Sequence, residues 1–303
     1  MTELSETQQR LRDLAAEHDA VILAHNYQRP EVQDAADLVG DSLELARKAA
    51  ATDAAVILFC GVHFMAETAK ILSPAKTVLM PDTHAGCPMA DMVTVEGLRA
   101  LKAQHPEAAV VAYVNTSAEI KAEVDVCCTS ANAPEVVGRI PAEQPIIFVP
   151  DRNLGDWVAG RTGRTNMIMW DGWCPVHEEM TATEVRAALE ANPGAELMAH
   201  PECNREVRAL ASVITSTSGM LRYPAGSAAR TFVVATETGL LHRLRALYPD
   251  RAFAPAARGA VCPNMKRTTL DKAIAALDEG LNEIVVPPRI AERALAAVQR
   301  MMG

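Results

Sequence analysis

The chain has 303 residues, 49% apolar and 22% charged, with a net charge of −9 and only 4% aromatic residues. A single core rarely grows past roughly 250–300 residues, so two or three domains are expected. Nucleic acid is excluded as a natural partner, because phosphate backbones bind basic patches and bases stack on aromatics, whereas a small anion needs only local donors.

Taken from the start, Met1 to Asp19 is polar and helix-prone, without the apolar centre of a signal peptide. No apolar run approaches the ~20 residues of a membrane span, so the expected address is the cytoplasm and no membrane is involved. Cysteines stay reduced there, and seven of them point to metal or catalytic roles rather than a disulfide framework.

Beyond residue 20, short Val- and Ile-rich runs alternate with helical stretches, the pattern of parallel βαβ units. Val21 to Ala24 reads as a strand that ends in His25-Asn26-Tyr27. Ser42 follows, then a second strand at Val56 to Cys60, then Cys87-Pro88 and a helix at Val95 to Gln104. The series then returns as Val110 to Ala112 with Tyr113-Val114-Asn115, Ser130, Ile146 to Val149, Cys174-Pro175 and Ala182 to Ala191. It returns again as Leu197 to Ala199 with His200-Pro201-Glu202, Thr217, Phe232 to Ala235, Cys262-Pro263 and Leu270 to Leu277.

Counted from His25, Tyr113 and His200, the hydroxyl residue stands 17 positions on in every copy, and the Cys-Pro 62, 61 and 62 positions on. Four landmarks in constant register define a duplicated unit of about 87 residues. The expected fold is α/β, with three homologous αβα domains whose small parallel sheets surround a central site in pseudo-threefold arrangement. Their bounds are 1–107, 108–194 and 195–303, the last with one more strand near Ile284 to Val286 and a helix.

Ligands of parallel α/β domains gather at the carboxyl ends of strands. Three strand-end cysteines meeting at one point make a metal site, and soft thiolates suit zinc or an iron–sulfur cluster. A lone free cysteine is more often a small buried apolar residue, which is the reading for Cys60, Cys127, Cys128 and Cys203. The threefold register argues otherwise for Cys87, Cys174 and Cys262. Structural zinc usually takes four protein ligands, often in Cys-x-x-Cys pairs, and this chain has no such pair. A 4Fe–4S cluster on three cysteines would leave one iron open to substrate as a Lewis acid.

Ser42, Ser130 and Thr217 stand at predicted helix starts, where a hydroxyl can cap the helix or line an anion site. The donor-rich run Ser216 to Met220 reads as a flexible lid. His25, Tyr27, Tyr113, Asn115, His200 and Glu202 are the acid–base and binding candidates at the strand tips, with His177, Glu237 and His242 behind them.

Several stretches also resemble the quinolinate synthase family: AHNYQ at 24–28, FCGVHFMAETAKIL at 59–72, PDTHAGCPMADM at 81–92, YVNTSAEIKAEVD at 113–125, WDGWCPVH at 170–177, HPEC at 200–203, TSTSGM at 215–220, ATETGLLHRL at 235–244 and CPNMK at 262–266. The resemblance covers nearly the whole chain. It implies the threefold fold, a 4Fe–4S cluster on Cys87, Cys174 and Cys262, and the condensation of iminoaspartate with dihydroxyacetone phosphate to quinolinate, releasing phosphate and water, in NAD biosynthesis.

By motif match, the resemblance gives His25, Tyr27, His200 and Glu202 catalytic roles, with Glu202 the proton shuttle and Tyr27 its partner. It makes His25, Ser42, Tyr113, Asn115, Ser130, His200, Glu202 and Thr217 substrate-binding, and it implies iminoaspartate made by L-aspartate oxidase, arriving either free or through transient contact with that enzyme. Some members carry a Cys-x-x-Cys-x-x-Cys segment at the third ligand, capable of a regulatory disulfide. Cys262 stands alone here, so that control is not expected. The rival readings are another three-cysteine 4Fe–4S hydro-lyase, a non-enzymatic iron–sulfur redox sensor, and a zinc hydrolase.

Overall fold

The computed structural model describes residues 4–302. Twelve strands among them form three separate four-stranded sheets, every pairing parallel. The first holds β1 (Ala20–His25), β2 (Leu38–Gly40), β3 (Val56–Cys60) and β4 (Thr77–Leu79), in the order β2-β1-β3-β4. The second holds β5 (Ala109–Tyr113), β6 (Val126–Cys128), β7 (Ile146–Val149) and β8 (Met167–Met169), ordered β6-β5-β7-β8. The third holds β9 (Glu196–Ala199), β10 (Val213–Ile214), β11 (Thr231–Ala235) and β12 (Ala252–Pro255), ordered β10-β9-β11-β12.

Apolar runs without alternation produce these sheets, because helices cover both faces of the central strands. Ile22, Leu23, Val111, Ile147 and Val233 are fully buried. Register is shared too: Ala24 lies opposite Cys60, Ala112 opposite Val149, and Ala199 opposite Ala235. The tips that follow β1, β5 and β9 therefore leave their sheets at equivalent heights. The architecture is mixed α/β in three αβα units, as the repeated landmarks predict.

Cys87, Cys174 and Cys262 are each followed seven residues on by a threonine, and Thr94, Thr181 and Thr269 cap the helices Val95–Gln104, Ala182–Glu190 and Leu270–Asp278. A threonine oxygen that accepts an N–H of the first turn stabilises a helix start by about 1 kcal/mol. These helices pass to the next sheet. The first lies on helix Ala118–Lys121, the second on β11, and the third on β3 and helix Glu6–Glu17.

The expected strand at Ile284 to Val286 is absent. Glu283 makes only an isolated antiparallel bridge with Leu79, and the Ile284 N–H donates to Val78 O at 2.8 Å. Pro287 and Pro288 follow and have no N–H to extend the ladder. Helix Pro288–Met302 then packs against β6 and helices His63–Leu72 and Ala118–Lys121. It buries Ala294, Ala297, Val298 and Met301 in one apolar core shared by the first two sheets. The third sheet has its own apolar layers, around Val207 on one face and Leu244 on the other. No helix among the described residues is long and apolar enough to cross a membrane.

Candidate functional site

The carboxyl ends of all three sheets open on one cavity of about 150 Å³. The first repeat lines it with His25, Tyr27, Ser42 and Cys87, the second with Tyr113, Asn115, Ser130 and Cys174, and the third with His200, Glu202, Thr217 and Cys262. The strand-tip residues, the three hydroxyls and the three Cys-Pro cysteines read from the sequence thus face one space. His177 and Glu237 join them, and among the described residues no lysine or arginine lines the cavity.

Glu202 is the centre of its polar network. The Tyr113 hydroxyl donates to Glu202 Oε1, His177 Nδ1 stands 2.9 Å from Oε2, and His200 Nδ1 3.8 Å from Oε1. The Nδ1 contact of His177 lies off the hydrogen-bond line. The backbone holds the carboxylate in place, since Asn153 Nδ2 donates to Glu202 O at 3.1 Å and the Glu202 N–H points at His200 Nδ1. The rings of His177 and His200 stack at 4.7 Å, and those of His25 and Tyr27 meet edge-on at 4.6 Å.

Burial dominates the electrostatics. It pulls His25 and His200 down to about 3, against the pull of Glu202, so both rings are neutral near pH 7. Burial first, and Glu202 second, push the Tyr27 and Tyr113 phenols well above 10.0. Burial alone would raise Glu202, but His177, His200 and the Tyr113 hydroxyl outweigh it and hold the carboxyl below its ordinary value.

One member escaped the sequence reading. Thr236 Oγ1 lies 2.6 Å from the Tyr27 hydroxyl and 2.8 Å from His177 Nε2. Next to it, Glu237 accepts the N–H of Gly239 at 2.7 Å and of Cys262 at 3.2 Å, and pairs with Lys266 Nζ at 2.9 Å. Lys266 Nζ in turn donates to Tyr27 O. The fit leaves no room beside Gly239, where a Cβ would lie 2.7 Å from Glu237 Oε2 and 2.9 Å from the Tyr27 carbonyl carbon. The tip of β11 therefore locks the Cys262 turn to the tip of β1.

The three hydroxyl residues are not helix caps. Asp41 caps the helix Ser42–Ala51, Asn132 is the cap residue of Ala133–Gly138, and Ser216 caps Thr217–Gly226. Asp41 already takes the N–H groups of Leu43 and Glu44. Ser42, Ser130 and Thr217 offer side chains to the cavity instead, with Thr217 Oγ1 accepting from Asn26 Nδ2 at 3.1 Å. Asn115 Oδ1 is buried without a protein partner. The run Ser216 to Met220, expected as a loop, is the cap and first turn of a helix, and Ser218 Oγ donates to Glu44 Oε2 at 2.7 Å. His242 sits elsewhere, 2.7 Å from Asp34.

Cys87, Cys174 and Cys262 are free thiols, each just ahead of its proline. Burial pushes Cys87 up to about 12, Cys174 well above 9.0, and Cys262 upward. Such thiols ionise only when a cation shares the sulfur. Backbone N–H groups of the following turn are set to stabilise that form: Met89 and Ala90 at Cys87, His177 at Cys174, and Asn264 and Met265 at Cys262. Cys174, His177 and Glu202 have donor atoms within 4.8 Å of one another and could hold a metal ion. The three cysteines do not make so close a set among the described residues. One tetrahedral ion with bonds of ~2.3 Å needs its sulfurs within roughly 4 Å, a spacing this trio does not offer.

The family described as Quinolinate synthetase A protein matches residues 9–303. A quinolinate synthase of Thermodesulfovibrio yellowstonii is 49% identical over 299 residues, covering 99% of this chain and 98% of that one. Another, from Geobacter metallireducens, is 52% identical over 295 residues, covering 97% and 96%. A third, from Thermus thermophilus, is 53% identical over 299 residues, again covering 97% and 96%.

Proposed function

Because the chain belongs to the quinolinate synthase family, we propose that it condenses iminoaspartate with dihydroxyacetone phosphate to quinolinate, releasing phosphate and water, with a 4Fe–4S cluster on Cys87, Cys174 and Cys262. It is an enzyme, with a place in NAD biosynthesis. The observation that carries the substrate and cluster reading is one cavity lined by a Cys-Pro from each repeat around the buried Glu202. On this reading the enzyme works in the cytoplasm and receives iminoaspartate from L-aspartate oxidase.

The cluster, when bound, would supply an iron without a protein ligand to act as a Lewis acid on substrate oxygen or nitrogen. The chain's own residues do the rest. Ser42, Ser130, Thr217 and Asn115 bind carboxylate and phosphate oxygens with neutral donors, in a cavity without a lysine or arginine. A neutral donor set holds an anion while leaving a phosphate free to depart.

Glu202 takes a proton from carbon as the triose enolises and returns it as hydroxide leaves, the work of a base that becomes an acid. Tyr113 and His177 orient its two oxygens. Tyr27 stands across the cavity as its partner. His25 and His200, neutral through burial, shape the pocket without adding charge. Dry walls protect the imine, because Glu202, His200 and His177 are each at most 3% exposed.

The test is iron and sulfide content, an absorption spectrum and quinolinate formation on anaerobically purified protein, for wild type and Cys174→Ser. Roughly four irons per chain and a broad band near about 400 nm, both lost in the variant, are expected. Colourless wild type with bound zinc would refute the cluster. Dehydration of a hydroxy acid without quinolinate formation would favour the hydro-lyase reading.

A further inference from the structure

We propose that Lys121 supplies the positive field that draws the triose phosphate into the cavity, acting from behind the wall and without touching the phosphate. The inference deepens the reading above and rests on it.

Lysine is almost never fully buried unless paired, yet Lys121 is 0% exposed. It ends the short helix Ala118–Lys121, over which helix Pro288–Met302 packs. Its Nζ donates to Thr116 O and stands 5.4 Å from the centre of the Phe64 ring. Phe64 lines the cavity, and Thr116 follows Asn115, which lines it too. Lys121 itself does not. The ammonium therefore lies one layer behind the part of the wall made by Phe64 and Asn115.

No contact cancels its charge. Lys121 makes no ion pair among the described residues, and a carbonyl oxygen and an aromatic ring are its surroundings. Both suit a cation better than a neutral amine. Burial disfavours the ammonium, while Cys127, Glu67, Glu119 and Cys87 favour it. Glu67 has turned its oxygens elsewhere: Oε2 accepts the Ala118 N–H at 3.0 Å, and Oε1 lies 3.7 Å from His63 Nδ1.

A buried charge without a contact partner is costly, and an anion entering the cavity offsets that cost. Across a wall of low dielectric the attraction reaches further than in water. A phosphate monoester carries roughly two negative charges near neutrality and a carboxylate one, so phosphate gains most. The field acts on bound substrate and transition state alike, so it favours binding rather than the chemical step. Since no ammonium proton holds a phosphate oxygen, the group can depart without breaking a charged hydrogen bond.

The test titrates inorganic phosphate calorimetrically into cluster-loaded wild type, Lys121→Met and Glu67→Gln, and measures initial rates with both substrates. Lys121→Met removes the charge on a side chain of similar length. It should weaken phosphate binding on the order of tenfold and raise the KM for dihydroxyacetone phosphate about as much. Its kcat should change by less than about threefold. Glu67→Gln removes a negative charge near the same ammonium and keeps an acceptor for Ala118, so it should tighten phosphate binding about twofold to fivefold. Opposite signs mark a field, whereas a structural role weakens binding in both variants. Wild-type phosphate affinity in Lys121→Met overturns the proposal, and if iron is lost there as well, the charge serves Cys87 instead. Unchanged or weaker binding in Glu67→Gln also overturns it, and this variant decides the matter should Lys121→Met not fold. Phosphate binding that depends on Lys121, in a protein that forms no quinolinate, overturns the parent reading and leaves the anion site standing.

Discussion

Lys272 Nζ lies 2.7 Å from Asp82 Oδ2, which bonds the helix after the third cysteine to the loop before the first. Arg267 Nε approaches the same oxygen at 3.3 Å. This cluster joins the two ends of the repeat series around a carboxylate that is 7% exposed.

Asp82→Asn should therefore loosen the molecule. Burial opposes ionisation of Asp82, but Lys272, the His84 N–H and Arg267 outweigh it and hold the carboxyl below its ordinary 3.8. A carboxyl depressed in the folded state contributes stability that is full above its ordinary value and lost as pH falls through the folded one. The substitution should cost roughly 1–3 kcal/mol at pH 7 and progressively less below about pH 4, read from urea unfolding at both.

The two buried histidines act over a different window. His25 and His200 titrate near 3 when folded and near 6.5 otherwise, so the unfolded chain binds more protons between these values. Stability should fall as pH drops from 6.5 toward 3. His200→Gln should flatten that slope in urea titrations between pH 7.5 and 5. An unchanged slope would show that His200 is not held neutral.

Glu202→Gln keeps the shape and removes the base. We expect a kcat loss of roughly 10²–10⁴ with iron content unchanged. Full turnover in this variant would remove Glu202 from acid–base chemistry.

Asn115 presents a buried oxygen that no protein donor satisfies, on a side chain lining the cavity. Asn115→Ala should raise the KM for the triose phosphate about threefold to tenfold, with a smaller effect on kcat, as for loss of a hydrogen bond accepted from a substrate hydroxyl. Initial rates at varied triose phosphate decide it.

Most of the fold was legible because duplication writes the same landmarks three times. β3 and β7 run over the residues expected, and the strand-tip residues, cysteines and hydroxyls share one cavity. What the sequence hid has physical reasons. Thr236 occurs in one repeat only: the residue after the corresponding strand is Gly61 in the first and Pro150 in the second. Its two hydrogen-bond partners stand 209 and 59 positions away. Asp41 and Ser216 took the caps from Ser42 and Thr217 because each stands one residue earlier, where the backbone is still extended and the side chain can reach back to the first turn. Ile284 to Val286 has the composition of a strand, but the prolines after it leave only the bridge of Glu283 and one hydrogen bond from Ile284.

Division of the cavity wall among three repeats also sets an order of events during synthesis. A ribosome that has released only the first two repeats has released Cys87 and Cys174 but not Cys262, Glu202 or Thr217. Helix Pro288–Met302, which completes the core beneath the first two sheets, emerges later still. On the three-cysteine reading, whatever occupies the centre is delivered only after the third repeat has emerged, and the two early thiols wait in the reduced state until it arrives.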